Sequence, residues 1–219
     1  VRSASERNMT EVESKAIFEA YGLPVAHTRL AETEDQAVEL AERIGYPVVM
    51  KIVSPDILHK SDAGGVKVNI ESSEAAREAF RTILENAKAY NAEADIHGVA
   101  VQMMAPWGTE VILGSVNDST FGPTVMFGLG GIFVEILKDV TFRVAPVSSD
   151  QAFKMLSDIN GAPILEGARG EEPRDRRALS DVLSRYSQMI YDLSDEIQES
   201  DANPVIVYEE GKGVTIVDA

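Results

Sequence analysis

Along the first third of the chain the spacing of apolar positions changes from one segment to the next. Thr10-Glu11-Val12-Glu13 sets a hydroxyl three residues ahead of a carboxylate, the reciprocal capping pattern that opens a helix, and Gly22 before Pro24 marks its end. Thr33-Glu34-Asp35-Gln36 repeats the signature. The second helix runs to about Ile44, with Gly45 past its last turn and Pro47 closing the exit. Val48 to Val53 then loses any period and is apolar but for Lys51, as in a strand covered on both faces. Gly65 to Ile70 alternates, predicting a strand with one wet face, and a hairpin-like excursion fills the gap between them.

A helix is predicted from about Ser73 to Tyr90, and the composition shifts near Ile96. Strands are predicted at Val99 to Met104 and Glu110 to Val116. The chain stays strand-rich to about Asp150 and turns helical over 150–159 and 174–197, Arg174 to Arg177 reading as a solvated helix start. It ends in two strands, Val205 to Tyr208 and Val214 to Val217, with Glu209 to Gly213 as the turn between. No repeat or long linker interrupts it. The expectation is one domain over residues 8–219, made of a smaller lobe at 25–97 and a second at 98–219 sharing a cleft. Helices and strands mix without strict alternation, which favours α+β over a doubly wound parallel sheet.

Composition narrows the function. With 219 residues and 44% apolar content the chain can build a substantial core. Cysteine is absent, which removes disulfides, a thiol nucleophile and Cys-ligated metals, and fits a reducing compartment. Val1 to Asn8 lacks the apolar core of a signal peptide, and no run approaches the roughly 18 apolar residues that span a membrane. The chain therefore reads as soluble and cytoplasmic, with no membrane partner. Thirty-six acids against twenty bases, a net charge of −16, oppose a nucleic-acid backbone as partner. A smaller polyanion such as ATP would need a local concentration of Lys, Arg and backbone N–H groups.

Lys51 is the first candidate, because an ammonium in a buried strand needs an anion beside it. That anion is a ligand phosphate or a nearby acid, unless the lysine snorkels out. The following segment, Ser54 to Gly65, adds Lys60 and Ser61 as donors, and Gly64-Gly65 lets backbone N–H groups approach a phosphate, although paired glycines also mark plain turns. His59 sits inside this run and reads as a solvated loop histidine or as a phosphoryl nucleophile. Three scattered histidines without cysteine make a poor metal site. A second glycine cluster, Gly128 to Glu135, lacks the dinucleotide fingerprint. With Lys138, Asp139 and Arg143 close by it suits phosphoryl transfer, Arg143 acting as a bidentate clamp, or a tight turn with surface charges. Asp201-Ala202-Asn203-Pro204 is either Asx-Pro turn chemistry or, with Asp218, a source of hard oxygen ligands for Mg²⁺.

Gly45 to Lys51, Ser54 to Asp62, Phe121-Gly122-Pro123, Met126 to Gly131 and Asp201 to Pro204, in this order, resemble the ATP-grasp domain of the ADP-forming acyl-CoA synthetases, relatives of succinyl-CoA synthetase. The likeness covers about Glu11 to Asp218. It implies an α+β ATP-grasp fold of two lobes with the nucleotide, ATP or ADP, in the cleft. The implied reaction turns acyl-CoA, ADP and phosphate into acid, CoA and ATP by way of phosphohistidine. His59 stands where the family keeps its second phosphoryl-carrying histidine. The resemblance gives Lys51, Lys60, Ser61, Gly64 and Gly65 to the nucleotide phosphates, Gln102, Met103 and Met104 to the adenine, and Glu110 to the ribose. Arg143 falls to the transferring phosphoryl group, Asn203 and Asp218 to Mg²⁺, and Asp201 to the incoming phosphohistidine. Ala202 departs from the larger aliphatic residue common there. The family's acyl-CoA chemistry lies on a separate domain or α subunit, so a CoA-binding partner and a hetero-oligomer are expected. A nucleotide-sensing module of a protein acetyltransferase fusion is the alternative.

Overall fold

The computed structural model describes residues 8–131 and 136–219, except for the side chain of Arg169. Ile132 to Glu135, the end of the second glycine cluster, and Val1 to Arg7 lie outside the described residues. Two compact units emerge: one holds Ala26–Met104 with residues 8–14, the other Lys15–Val25 with Ala105–Ala219.

In the first unit the order is β1 (Thr28–Ala31), α2 (Glu34–Ile44), β2 (Val48–Val53), β3 (Val66–Ile70), α3 (Ser73–Tyr90) and β4 (Gly98–Met103), preceded by the first turn of α1 (Glu11–Ala20). The predicted caps at Thr10 and Thr33 hold, and a third cap stands before α3. Glu13 accepts from the Thr10 N–H at 2.8 Å, Thr33 accepts from the Gln36 N–H, and Ser72 caps α3 through the Ala75 N–H. Four antiparallel strands form a sheet in the order β1-β4-β2-β3. Met50, Ile52, Val99 and Val101 pack with Ala37, Ala41, Phe80 and Ile83 of α2 and α3 into one core. Every residue of β2 is buried, as its run, apolar but for Lys51, predicts.

The second unit takes the rest of α1, β5 (Thr109–Asp118), β6 (Gly122–Leu129), β7 (Val140–Val144), α4 (Ser149–Met155), α5 (Ala162–Leu165), α6 (Arg176–Asp192), β8 (Glu199–Val207) and β9 (Val214–Ile216). Its antiparallel sheet runs β7-β6-β5-β8-β9. Val111, Leu113, Val125 and Phe127 meet Leu179, Leu183, Tyr186 and Met155 on one face, and Phe18 of α1 sets its ring edge-on to Tyr186 at 5.8 Å.

Three expectations are corrected. The lobe boundary at 97/98 fails because β4 is hydrogen-bonded between β1 and β2, so the chain leaves the first unit after Met104. The shift near Ile96 marked the approach to a central strand. Arg174 is no solvated helix start: only 4% exposed, it bonds Thr109 Oγ1 at 2.7 Å, pairs with Glu171 and lies 5.0 Å from the Trp107 ring centroid. Asp201 to Pro204 is no turn either, since all four residues lie within β8, where a bulge opposite Val111 to Leu113 absorbs Pro204. Among the described residues no helix is long and apolar enough to cross a membrane.

Candidate functional site

In each sheet several candidate residues lie on the face turned away from the helices. In the first unit Met50 and Ile52 enter the helix-packed core, so the alternation of β2 turns Lys51 to the other side. Gln102 shares that side through the register, Thr28 opposite it in β1 and Val49 opposite it in β2. Lys51 is 4% exposed, and its Nζ lies 3.0 Å from Glu11 Oε1; Lys60 Nζ lies 3.0 Å from Glu11 Oε2. The buried ammonium thus has a protein acid beside it, one of the two partners the sequence left open. Glu11 itself escaped the sequence reading, which saw it only as part of a helix start. No local pattern announces partners 40 and more residues away, although an acid followed four residues later by Lys15 on a capped helix was the available signal.

The excursion between β2 and β3 is a compact turn over Lys60 to Gly64. Its glycines behave differently from the expectation. Gly65 donates its N–H to the Lys60 carbonyl at 2.8 Å and Gly64 donates to Ser61 at 3.0 Å, so both groups expected to face phosphate close the loop on itself. Only glycine fits there. Gly64 has φ +61°, and a Cβ on Gly65 would stand 2.6 Å from Ile52 Cγ2. His59 and Ser61 are exposed at the start of this turn, and the His59 carbonyl accepts from the Ala63 N–H. Of the adenine candidates, Gln102 is fully buried and accepts from Thr28 Oγ1 at 3.1 Å, Met104 donates its N–H to Pro47, and Met103 is 56% exposed.

In the second unit Asp201 stands opposite Gly114, which stands opposite Met126 and, beyond it, Phe142. These residues, with Glu110 and Ile112 by alternation along β5, occupy the face away from α4 and α6. Asp201 and Asn203 are exposed on either side of the fully buried Ala202, whose small side chain fits the core at this point. Beyond the bulge the Asn203 N–H reaches the Asp218 carbonyl at 3.1 Å, and the Val217 N–H reaches Pro204 at 3.0 Å. Lys15 Nζ donates to the Val217 carbonyl at 2.7 Å and anchors the same strand end. Asp201 keeps an edge in solvent, yet desolvation of its carboxyl, reinforced by the Asp218 charge, pushes its pKa up to about 6. Among the described residues no group of three or more His, Cys, Asp or Glu side chains forms a cage for a metal. An amide oxygen plus one or two carboxylates is a donor set that fits Mg²⁺, which keeps waters and substrate phosphates in its shell.

Arg143 does not join this cluster. Its register partners Val125, Ser115 and Ser200 put it on the helix-covered face, opposite to Asp201, where it pairs with Asp158 and bonds Thr141 Oγ1 and the Phe142 carbonyl. The phosphoryl-clamp role is corrected on that ground. The described part of the second glycine cluster is likewise explained by packing. A Cβ on Gly128 would meet Val140 Cγ1 at 2.8 Å, and one on Gly130 would meet Glu110 Cβ at 3.0 Å. Asp139 accepts from the Asn160 and Gly161 N–H groups at 2.8 and 2.7 Å, fixing the entry to α5.

Comparison with known proteins places the chain in a family. A family model described as ATP-grasp domain matches residues 1–219. The β subunit of ADP-forming acetate–CoA ligase I from Pyrococcus furiosus is 53% identical, the match covering 94% of this chain and 89% of that subunit. The ADP-forming 4-hydroxybutyrate–CoA ligase of Nitrosopumilus maritimus is 49% identical over the whole chain, which spans 31% of that longer protein. A structure of acetyl-coenzyme A synthetase 1 from Ca. Korarchaeum cryptofilum, in complex with coenzyme A and Ca-AMPCP, superposes with a TM-score of 0.93 at 48% identity, covering 98% of this chain and 92% of that one. Another structure of that synthetase, with coenzyme A and Mg-AMPPCP and its phosphohistidine segment pointing towards the nucleotide binding site, gives a TM-score of 0.80 at 46% identity, covering 95% and 89%.

Proposed function

Because the chain belongs to the ATP-grasp domain family, we propose that it is the nucleotide-handling component of an ADP-forming acyl-CoA synthetase. It carries a phosphoryl group between phosphohistidine and ADP in the reversible conversion of acyl-CoA, ADP and phosphate to acid, CoA and ATP. The observation that carries this reading is the arrangement around the bulge of β8, where a backbone hydrogen bond ties Asn203 to Asp218, just past β9, beside an Asp201 held near pKa 6. The likeness to a ligase β subunit along nearly its whole length supports it.

In the ATP-forming direction a β-phosphate oxygen of ADP attacks phosphorus on an imidazole nitrogen. The P–O bond forms as the P–N bond breaks, and the imidazole regains a proton from solvent. Exposed His59 is the carrier on this chain, and Lys51, Lys60 and the Ser61 hydroxyl meet the nucleotide phosphates. Gly64 and Gly65 shape the loop. Met103 and Met104, with Gln102 behind them, flank the adenine, and Glu110 takes the ribose. Mg²⁺ bound by Asn203 and Asp218 would offset the phosphate charge. Asp201, with a pKa close to neutrality, accepts from an incoming imidazolium or donates when protonated.

The acyl-CoA chemistry belongs to a CoA-binding domain or α subunit with which the chain forms a hetero-oligomer in the cytoplasm. Acetate–CoA and 4-hydroxybutyrate–CoA ligases are the relatives at about half identity, and they lend no support to the acetyltransferase-linked sensor. Incubation with γ-labelled ATP and Mg²⁺ tests the relay. Acid-labile label is expected on the wild-type chain and none on a folded His59→Ala chain; label that survives the change refutes it.

A further inference from the structure

The proposed function leaves Glu11 without a role, although it is the acid between two proposed phosphate ligands. We propose that Glu11 is a positioning residue, a latch that holds Lys60, and with it the His59-bearing loop, until nucleotide phosphate competes for the lysine. The latch rests on the nucleotide reading above. Its geometry does not: the two Glu11 oxygens lie 3.0 Å from the Lys51 and Lys60 ammoniums, with side-chain exposures of 0% for Glu11, 5% for Lys51 and 17% for Lys60.

The two lysines differ in what holds them. Lys51 is fixed in β2 between β3 and β4, and separating it from Glu11 would strand a buried charge. Lys60 sits in the turn and reaches solvent, so its half of the bridge can be exchanged for another anion. The turn is built on Lys60: its carbonyl takes the Gly65 N–H, and the His59 carbonyl next to it takes the Ala63 N–H. Holding the Lys60 side chain therefore holds the backbone that presents His59. A phosphate oxygen is attracted to either ammonium, and Glu11 is its competitor for Lys60.

A latch acts on the nucleotide-free chain and leaves transfer at saturation alone. In the 219-residue chain without nucleotide, Glu11→Gln should speed hydrogen exchange at the Ala63, Gly64 and Gly65 amides about tenfold or more. MgADP affinity should rise about fivefold, because the competitor has lost its charge. Labelling of His59 at saturating MgATP should stay within about twofold of wild type, because phosphate has then already taken Lys60 from Glu11. In a Lys60→Met background the gain in MgADP affinity should shrink below about twofold, as a double-mutant cycle requires for a pair acting through each other. If Glu11→Gln does not fold, Glu11→Asp keeps a charge beside Lys51 with one methylene less reach, and the same changes in exchange and affinity should appear at smaller size. Unchanged loop exchange, a fall in MgADP affinity, labelling slowed at saturation, or a gain that persists without Lys60 overturns the latch. A wild-type chain that binds no MgADP overturns the nucleotide reading instead, and the exchange measurement then decides the loop contact by itself.

Discussion

Asn203 donates its backbone N–H to the carbonyl of Asp218 at 3.1 Å, so the exposed amide of β8 and the carboxylate just past β9 are set by one backbone contact. The bulge at Pro204 lets β8 keep Ala202 and Val205 in the core while Asn203 stays outside. A backbone contact from a strand residue therefore ties together the two segments that carry the proposed Mg²⁺ ligands.

If those oxygens bind Mg²⁺, Asp218→Asn should weaken MgADP binding about tenfold or more, equivalent to ~1.4 kcal/mol, in titration calorimetry. ADP binding measured in EDTA should change far less. Loss of the Asp218 charge should also lower the Asp201 pKa, which carboxyl NMR can follow.

Asp201 should make stability depend on pH. Its folded pKa, about 6, stands above the ordinary 3.8, so between those values the folded state holds a proton that the unfolded chain has released. Stability then falls as pH rises through that window and the effect is constant above it. Asp201→Asn should raise Tm at pH 7.5 by about 2–4 °C, a gain of ~1 kcal/mol after allowance for solvent screening. At pH 3.5 the difference should vanish. Magnesium binding should displace the same proton, seen as a buffer-dependent enthalpy near pH 6.

Gly65→Ala tests the packing role of the loop glycines. The added methyl meets Ile52 Cγ2 at 2.6 Å and the Lys60 carbonyl at 3.0 Å. A loss of about 1–3 kcal/mol in urea unfolding is expected. A neutral result would show that this turn is loosely packed.

Asp175 does two jobs at the start of α6, accepting from the Ala178 N–H at 3.0 Å and the Gly213 N–H at 2.9 Å. Asp175→Ala should cost about 1–2 kcal/mol, and Asp175→Asn about half of that, since the amide oxygen can serve only one donor well. Thermal unfolding of the two variants gives the comparison.

Short-range patterns settled the elements. Caps at Thr10 and Thr33, the run of β2 that is apolar but for Lys51 and the final hairpin are local energies written into adjacent residues, and a predicted helix from Ser73 to Tyr90 matches α3 end to end. Motifs at Lys51, His59 and Asp201 to Pro204 gave the family, because several long matches in order leave little room for chance.

What only the tertiary structure decided was which side of each sheet a residue occupies and what stands opposite it. Alternation puts Asp201 and Arg143 on opposite faces, but sequence alone does not give the register across three strand pairs that decides it. Arg174 looked solvated because its partners Trp107 and Thr109 are some 65 residues away. Glu11 looked like a helix start for the same reason. A buried charge is satisfied by whatever the fold brings to it, and the cost of leaving it alone, not its neighbours in sequence, selects that partner.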